Sequence, residues 1–408
     1  MKRLDYPGLS LAVVLDDAAT LEPLLDRVIR GWLPRRRALS AREGRALTRA
    51  GQRRSHLRLT PEGFEARSFY MEPAMRGLGG ASAICTVLAD LAQDWFESRP
   101  GTVALHCAAV RFGDRLVALT GPKRAGKSTL VTRLTAEPDL EVFCDDVLPV
   151  LPDGRGVALG IAPRLRLPLP DRASPAFRAH VARWMGPRDD RYGYVCAPTV
   201  APHGATAPLA AFVLLDRREG GPARLHHLAP DDAVHHLMAQ NMADLGGAAG
   251  TFAMARRLAG GLTCLRLVYA DLDDAVALLR RAFAAGGGLD PSLRPGPALA
   301  DPPPPPPEAA PVRPDAVWRR AGSVAVRGEG ASAFLWAPGS DTVWRLNLVG
   351  RAVWAMLTEP ASAAELAGAL AEVFPAEPPA RLEADVARLI GGLAAAGFVT
   401  EAQPAAAD

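Results

Sequence analysis

The sequence predicts a mixed α/β chain in three parts: an N-terminal α/β region, a central α/β body, and a small winged-helix-like unit after it. Three observations carry that reading. Strand-like and helix-like segments alternate from about residue 100 to 285. A glycine-rich loop near residue 121 joins an apolar run to a helical one. A Gly- and Pro-rich break over 286–315 precedes a last stretch with its own 3.6-residue stripes.

The 408 residues allow two to three domains, of which the first spans 1–97. Helices are expected near 18–31 and 80–97. The arginine-rich stretch from Arg35-Arg36-Arg37 to Arg58 is expected to be a solvated face rather than the seat of an acidic partner. The apolar run Leu11–Leu15 stops at Asp16-Asp17, too short for a secretory signal, and nowhere do 18 apolar residues run together, so no membrane span is expected. The five cysteines stand singly, without a C-x-x-C pair. A disulfide framework or a cysteine-held zinc is therefore not expected, and a cytoplasmic protein is. A net charge of +3 is too balanced to argue for nucleic acid, and a homo-oligomer is compatible with the sequence.

The central body spans 98–285. Strands are expected at Val103–Phe112, Leu116–Thr120, Glu141–Val150, Ala211–Leu215 and Thr263–Tyr269, and helices at Lys127–Leu134, Asp231–Met242 and Asp273–Phe283. Gly113-Asp114 between the first two strands is a hairpin signal, which gives Leu116–Thr120 an antiparallel neighbour. The segment Gly121-Pro-Lys-Arg-Ala-Gly126-Lys127-Ser128 then fits G-x-x-x-x-G-K-[ST] in its strand–loop–helix context. Its glycines let backbone N–H groups turn toward phosphate oxygens, and the helix N-terminus adds partial positive charge. The loop candidates are Gly121, Lys123, Ala125, Gly126, Lys127, Ser128 and Thr129. Only Lys2, Lys123 and Lys127 are lysines among the 47 basic residues, so a chance match would more often have carried arginine where Lys127 stands. An arginine fork cannot replace an ammonium in such a cradle.

Asp145-Asp146 ends the apolar run that begins at Glu141. Two adjacent carboxylates there require a nearby cation or a role in proton transfer, since one can hold Mg²⁺ while the other accepts a hydroxyl proton. His106 opens the hairpin and is expected over the phosphates. Arg164 and Arg166, two apart on one strand face, are expected to meet a phosphate or an acidic group of the substrate. The pairs His226-His227 and His235-His236 are not expected to bind metal, since adjacent side chains point to opposite sides.

His106 lies 15 residues before Gly121, and Asp145-Asp146 lie 24 and 25 after it. With the hairpin between, this part of the chain resembles the catalytic domain of HPr kinase/phosphorylase and related serine kinases, which share their P-loop placement with phosphoenolpyruvate carboxykinase. The resemblance covers about 100–170 well and 200–285 in outline. It implies ATP-dependent phosphorylation of a serine hydroxyl, with Lys127 and Ser128 on the phosphates, Mg²⁺ held by Ser128 and Asp146, a base among Asp145 and Asp146, and His106 beside the transferring group. Thr129 stands where the family has Glu. The family's segment that grips its protein substrate is replaced by Ala162-Pro-Arg164-Leu-Arg166-Leu, so neither that substrate nor phosphorolysis is carried over.

The linker, 286–315, holds six consecutive prolines, Pro302 to Pro307, a polyproline II rod of roughly 19 Å that reads as a spacer. The C-terminal unit, 316–402, is expected to pair strands at Val317–Val326 and Ala333–Leu346 with three helices. The second of these opens on the capping box Ser362-x-x-Glu365. Thr342-Val-Trp-Arg-Leu346-Asn347-x-x-Gly350-x-x-x-Trp354-x-x-Leu357 resembles PqqD-like leader-peptide recognition elements. That resemblance implies a precursor peptide added as a strand at the sheet edge. Glu383 and Asp385 among Arg381 and Arg388 make the last helix a poor surface for DNA. Together the parts predict an ATP/Mg²⁺-dependent peptide kinase tailoring a ribosomally made product, lasso peptides among the classes considered. The alternatives are a nucleotide-dependent peptide chaperone without phosphoryl transfer and a small-molecule kinase.

Overall fold

The computed structural model describes all residues except 41, 45, 47–52, 285, 287, 302–310 and 403–408. The expected proline rod, Pro302 to Pro307, lies outside the described residues, as does part of the 286–315 linker. The chain forms two compact units. One comprises residues 1–228, 239–243 and 259–298; the other comprises 229–238, 244–258 and 299–408.

In the first unit, the N-terminal region is a six-stranded sheet, where the sequence pattern predicts an α/β region but locates only its two helices. Its strands are β1 (Lys2–Asp5), β2 (Ala12–Asp16), β3 (Arg35–Ala38), β4 (Arg54–Thr60), β5 (Gly63–Arg67) and β6 (Met75–Leu78), in the order β3-β1-β2-β4-β5-β6. Helix α1 (Glu22–Val28) and helix α2 (Gly80–Glu97) cover it. Arginines hide the strand pattern: in β4 only Ser55 and Leu57 are buried, while Arg54, His56 and Arg58 alternate with them. The buried carboxylate Asp94 on α2 accepts N–H groups of Ser10 and Leu11 at 2.9 and 3.1 Å, which ties the helix to the turn before β2.

The larger sheet of this unit has nine strands. They are β7 (Val103–Leu105), β8 (Ala108–Phe112), β9 (Arg115–Thr120), β10 (Glu141–Cys144), β11 (Leu148–Val150), β12 (Arg155–Val157), β16 (Thr206–Arg217), β17 (Arg224–His227) and β18 (Thr263–Tyr269). A separate three-stranded sheet holds β13 (Arg164–Arg166), β14 (Met185–Arg188) and β15 (Tyr192–Val195). β8 and β9 form the expected antiparallel hairpin, Phe112 facing Arg115, and the long β16 runs parallel to both β9 and β18. Leu116 to Leu119 of β9 are wholly buried between helices α3 (Lys127–Leu134) and α7 (Leu272–Ala282) on one side and the rest of the core on the other. An ion pair between Arg133 and Asp273, 2.6 Å, joins α3 to α7. Helix α4 (Pro175–Trp184) caps on Ser174, whose hydroxyl accepts the Phe177 N–H.

Two expected strands are each broken in two. Val103–Phe112 breaks at His106-Cys107, and Glu141–Val150 breaks at Asp145-Asp146-Val147. The breaks coincide, because the two segments are paired antiparallel on both sides of them: β7 with β11 through Leu105 and Leu148, β8 with β10 through Ala109 and Cys144. Polar side chains that could not enter a ladder are thereby gathered at one gap in the sheet.

The second unit contains two three-stranded sheets, β19 (Val317–Arg320) with β23 (Ala361–Ser362) and β24 (Val399–Glu401), and β20 (Ala325–Glu329), β21 (Ser332–Trp336) and β22 (Trp344–Leu346) in that order. Helices α8 (Leu348–Met356), α9 (Ala363–Val373) and α10 (Pro379–Ala395) pack on them. Asn347 caps α8, and Ser362 with Glu365 forms the capping box of α9. Every residue of β21 is buried. Ala333 and Leu335 face the helices. On the other face Phe334 and Trp336 pack on Phe252, both at 5.3 Å, and Ser332 donates to Asp231 at 2.6 Å. Phe252 and Asp231 belong to helices α6 (Gly247–Gly261) and α5 (Pro230–Gln240); sequence order puts their residues in the central body, where only α5 is expected as a helix. Most of both helices falls in this unit, because a sheet with a second apolar face needs a cover.

Candidate functional site

β9 ends at Thr120, and the chain turns through Gly121–Gly126 into α3. Two conformations fix the turn. Gly126, at φ 92°, is the helix N-cap, and a side chain there would meet the Tyr269 hydroxyl at 2.5 Å. Gly121 has no room either: a Cβ would stand 2.9 Å from that of Ala125 and 3.0 Å from the Leu215 carbonyl. Tyr269 donates to the Ala125 carbonyl at 2.7 Å, pinning the loop to the end of β18. The first-turn N–H groups of α3 therefore point out of a rigid, glycine-shaped cradle.

The gap between the broken strands opens beside that cradle. His106 Nε2 lies 2.8 Å from Lys127 Nζ and 3.0 Å from Asp146 Oδ1. One ring nitrogen cannot serve both at once: it accepts from the ammonium when bare and donates to the carboxylate when protonated. His106 and Asp146 are half to two-thirds exposed, so their pairing adds little to fold stability. The hydrogen bond from His106 holds the Asp146 carboxyl below its usual range, against the cost of its surroundings.

Asp145, next in the chain, is built oppositely. It is buried; burial and then the charge of Asp146 push its carboxyl up to about 6, while the Arg164 N–H, Lys127 and Ser128 oppose the rise. Its Oδ2 accepts the Arg164 N–H at 3.1 Å, whereas Oδ1 is buried without a hydrogen-bond partner. Two neighbouring carboxyls with separated affinities for protons are suited to two different roles. The orphaned Oδ1 and the nearby Ser128 hydroxyl are hard oxygen donors of the kind that suits Mg²⁺, which keeps most of its waters. Among the described residues no group of three or more His, Cys, Asp or Glu side chains is placed to hold a metal ion.

Of the residues singled out from sequence, the structure brings together His106, Lys127, Ser128, Asp145, Asp146 and Arg164. The Arg164 guanidinium stacks on Tyr192 at 4.6 Å and hydrogen-bonds Cys85. Arg166 shares its strand face but is exposed. Lys123 is exposed at the loop tip. Thr129, with Gly126, faces a separate pocket lined by Arg172 and Arg217 that sequence reasoning missed. A signal for Arg217 existed: it ends a strand parallel to the one that enters the loop, and such strand ends gather ligands. Cys85 had none, being 79 residues from its partner. The histidine pairs are engaged singly: His226 with the Pro297 carbonyl at 3.0 Å and His236 with Asp301 at 2.9 Å.

No helix among the described residues is long and apolar enough to cross a membrane. No curated protein matches the chain. Residues 333–399 match the family described as Coenzyme PQQ synthesis protein D (PqqD). Among solved structures, the chain is similar to the PqqD truncation of Methylobacterium extorquens PqqCD, described as a stand-alone recognition element for ribosomally synthesized and post-translationally modified peptides. The identity is 22%, over 22% of this chain and 95% of that one, with a TM-score of 0.20. The C-terminal part of this chain thus carries a PqqD-like region.

Proposed function

We propose that this chain is an ATP- and Mg²⁺-dependent kinase that phosphorylates a serine or threonine hydroxyl of a ribosomally made precursor peptide, which its PqqD-like region recruits. The observation that carries the reading is the convergence of Lys127, His106 and Asp146 on one gap in the sheet, beside a buried Asp145 whose Oδ1 lacks a partner. Such a constellation has little to do for stability and much to do for phosphoryl transfer.

In this reading the N–H groups of the Gly121–Ser128 loop and the Lys127 ammonium hold the β- and γ-phosphates. Ser128 and Asp145 would hold the Mg²⁺, which neutralises phosphate charge. The buried, unpartnered Oδ1 favours Asp145 over Asp146 for that place and leaves Asp146 for the proton. The acceptor oxygen attacks the γ-phosphorus, its proton passes to Asp146, and the bond from the γ-phosphorus to the β–γ bridging oxygen breaks to release ADP. Lys127, drawn to the phosphates, leaves His106 Nε2 to Asp146, and His106 orients that carboxylate.

For recruitment, β22 is an edge strand of its sheet, and Leu348 just beyond it is 63% exposed. An extended leader could pair with that edge and cover Leu348. Leu348→Glu is expected to raise KM for the full precursor about tenfold or more and leave turnover of a leaderless core peptide unchanged. Equal KM values for the full precursor in both proteins would exclude this edge as the leader site. ATP hydrolysis or binding with an unmodified peptide would favour the chaperone reading.

A further inference from the structure

We propose that Arg172 and Arg217 form an anion subsite on the nucleoside side of the Gly121–Ser128 loop, which holds the α-phosphate of the bound nucleotide; the proposal rests on the nucleotide reading of that loop. The pocket is an open depression beside the loop, small enough to take a single phosphoryl group at its wall. Gly126, Thr129, Arg172, Arg217, Tyr269 and Asp271 contribute to its wall.

Topology puts Arg217 there. It ends β16, which runs parallel to β9, with Leu214 beside Thr120 in register, so both strands deliver their C-terminal ends to the same edge of the sheet. Arg217 Nη1 lies 3.8 Å from the point where a Gly126 side chain would begin. Whatever fills the pocket therefore touches both the guanidinium and the last glycine of the loop.

The charges in the pocket are uncompensated. Arg217 Nε is buried without a hydrogen-bond partner, and neither arginine forms an ion pair with a carboxylate among the described residues. Burial, and then the charge of Arg172, lower the proton affinity of Arg217. The one acid in the wall is engaged elsewhere: Asp271 Oδ1 accepts the N–H groups of Asp273 and Asp274 at 2.8 and 3.0 Å as the N-cap of α7. A buried guanidinium nitrogen without an acceptor, beside a second arginine, is costly, and a bidentate phosphate oxygen pair removes that cost.

The two sides of the loop divide the work. Lys127 faces His106 and Asp146, where charge must be transferred, whereas Gly126 and Thr129 face the arginines, where charge need only be held. A chain of three phosphates spans them with the γ-phosphate at the first and the α-phosphate at the second. Inorganic pyrophosphate, with no nucleoside to hold it toward the second, should settle at the first, beside the Lys127 ammonium, and not sense the arginines.

The test is calorimetric titration of the full chain with ADP and, separately, pyrophosphate. Arg172→Ala, at an exposed position, and Arg217→Gln are each expected to weaken ADP about tenfold or more and to leave pyrophosphate within about twofold. Lys127→Ala is expected to weaken both. ADP affinity unchanged in both arginine variants, with Lys127→Ala still damaging, overturns the subsite. So does an equal loss of pyrophosphate in Arg172→Ala. If Lys127→Ala changes neither ligand, it is the nucleotide reading of the loop that fails.

Discussion

Of the five Asp-Asp pairs in the chain, two that lie beside basic side chains are built in opposite ways. Asp231 and Asp232, in the first turn of α5, are both buried and both satisfied: Arg345 reaches them at 2.8 and 2.6 Å and Ser332 donates to Asp231. Asp145 and Asp146, at the break between β10 and β11, divide into a buried carboxyl with an orphaned oxygen and an exposed one that shares a histidine with Lys127. A satisfied buried cluster fixes structure. An unsatisfied one at the end of a glycine loop is available for a ligand. The dipeptide is the same, and its surroundings decide its use.

The largest effect that would break this contrast is on stability in the second unit. Arg345→Ala leaves two buried carboxylates unpaired and should cost about 3–5 kcal/mol in denaturant unfolding. Asp146→Asn should cost less than about 1 kcal/mol, since its pair is exposed, but lower phosphorylation about 10²–10⁴-fold. If Arg345→Ala is mild, or Asp146→Asn unfolds the protein, the two clusters have been assigned the wrong way round.

Asp145→Asn should go further and stabilise the ligand-free protein. Burial raises this carboxyl from 3.8 to about 6 in the folded chain. The stability it carries is therefore whole below about pH 4 and is lost as pH rises through about 6. The asparagine variant, lacking that loss, should gain on the order of 1–3 kcal/mol at pH 8 and progressively less toward pH 4. Thermal unfolding across that range measures it, and a gain independent of pH contradicts the buried, unpaired carboxylate.

A pH effect of opposite sign belongs to His203, which packs on the N-terminal region. His203 stacks on Trp32 with ring centres 3.9 Å apart, and burial lowers its pKa from 6.5 to about 4. The unfolded chain takes up a proton first, so this site should lose stability as pH falls from about 6.5 to 4. His203→Phe, which keeps a stacked ring, should flatten that part of the profile. The smallest effect is Ser362→Ala, which removes one half of the α9 capping box and should cost about 1 kcal/mol by denaturant midpoint.

What could be read from residue order was whatever depends on neighbours in the chain. The loop, the helix Lys127–Leu134, the strand Thr263–Tyr269 and the Ser362 capping box are local patterns, and the structure has each at those bounds. The N-terminal sheet escaped because Arg54, His56 and Arg58 occupy alternate positions of β4 and arginines fill all but one of β3. The helix Gly247–Gly261 escaped because four of its residues are glycine, and Phe252, packed on the distant Phe334 and Trp336, supplies part of what propensity lacks. At the candidate site, His106, Lys127 and the two aspartates stood out by chemistry. That they meet depends on two strands breaking together, which each apolar run read as a continuous strand conceals.

The central claim is phosphoryl transfer at the Asp145–Asp146 gap. Its most direct test is the intact mass of a precursor peptide, encoded beside this chain, after incubation with the full protein, ATP and Mg²⁺. The predicted result is a gain of one phosphoryl group, on a serine or threonine, that is abolished by Lys127→Ala and sharply slowed by Asp146→Asn. An unmodified peptide while ATP is consumed, or a gain that both variants retain, would contradict it.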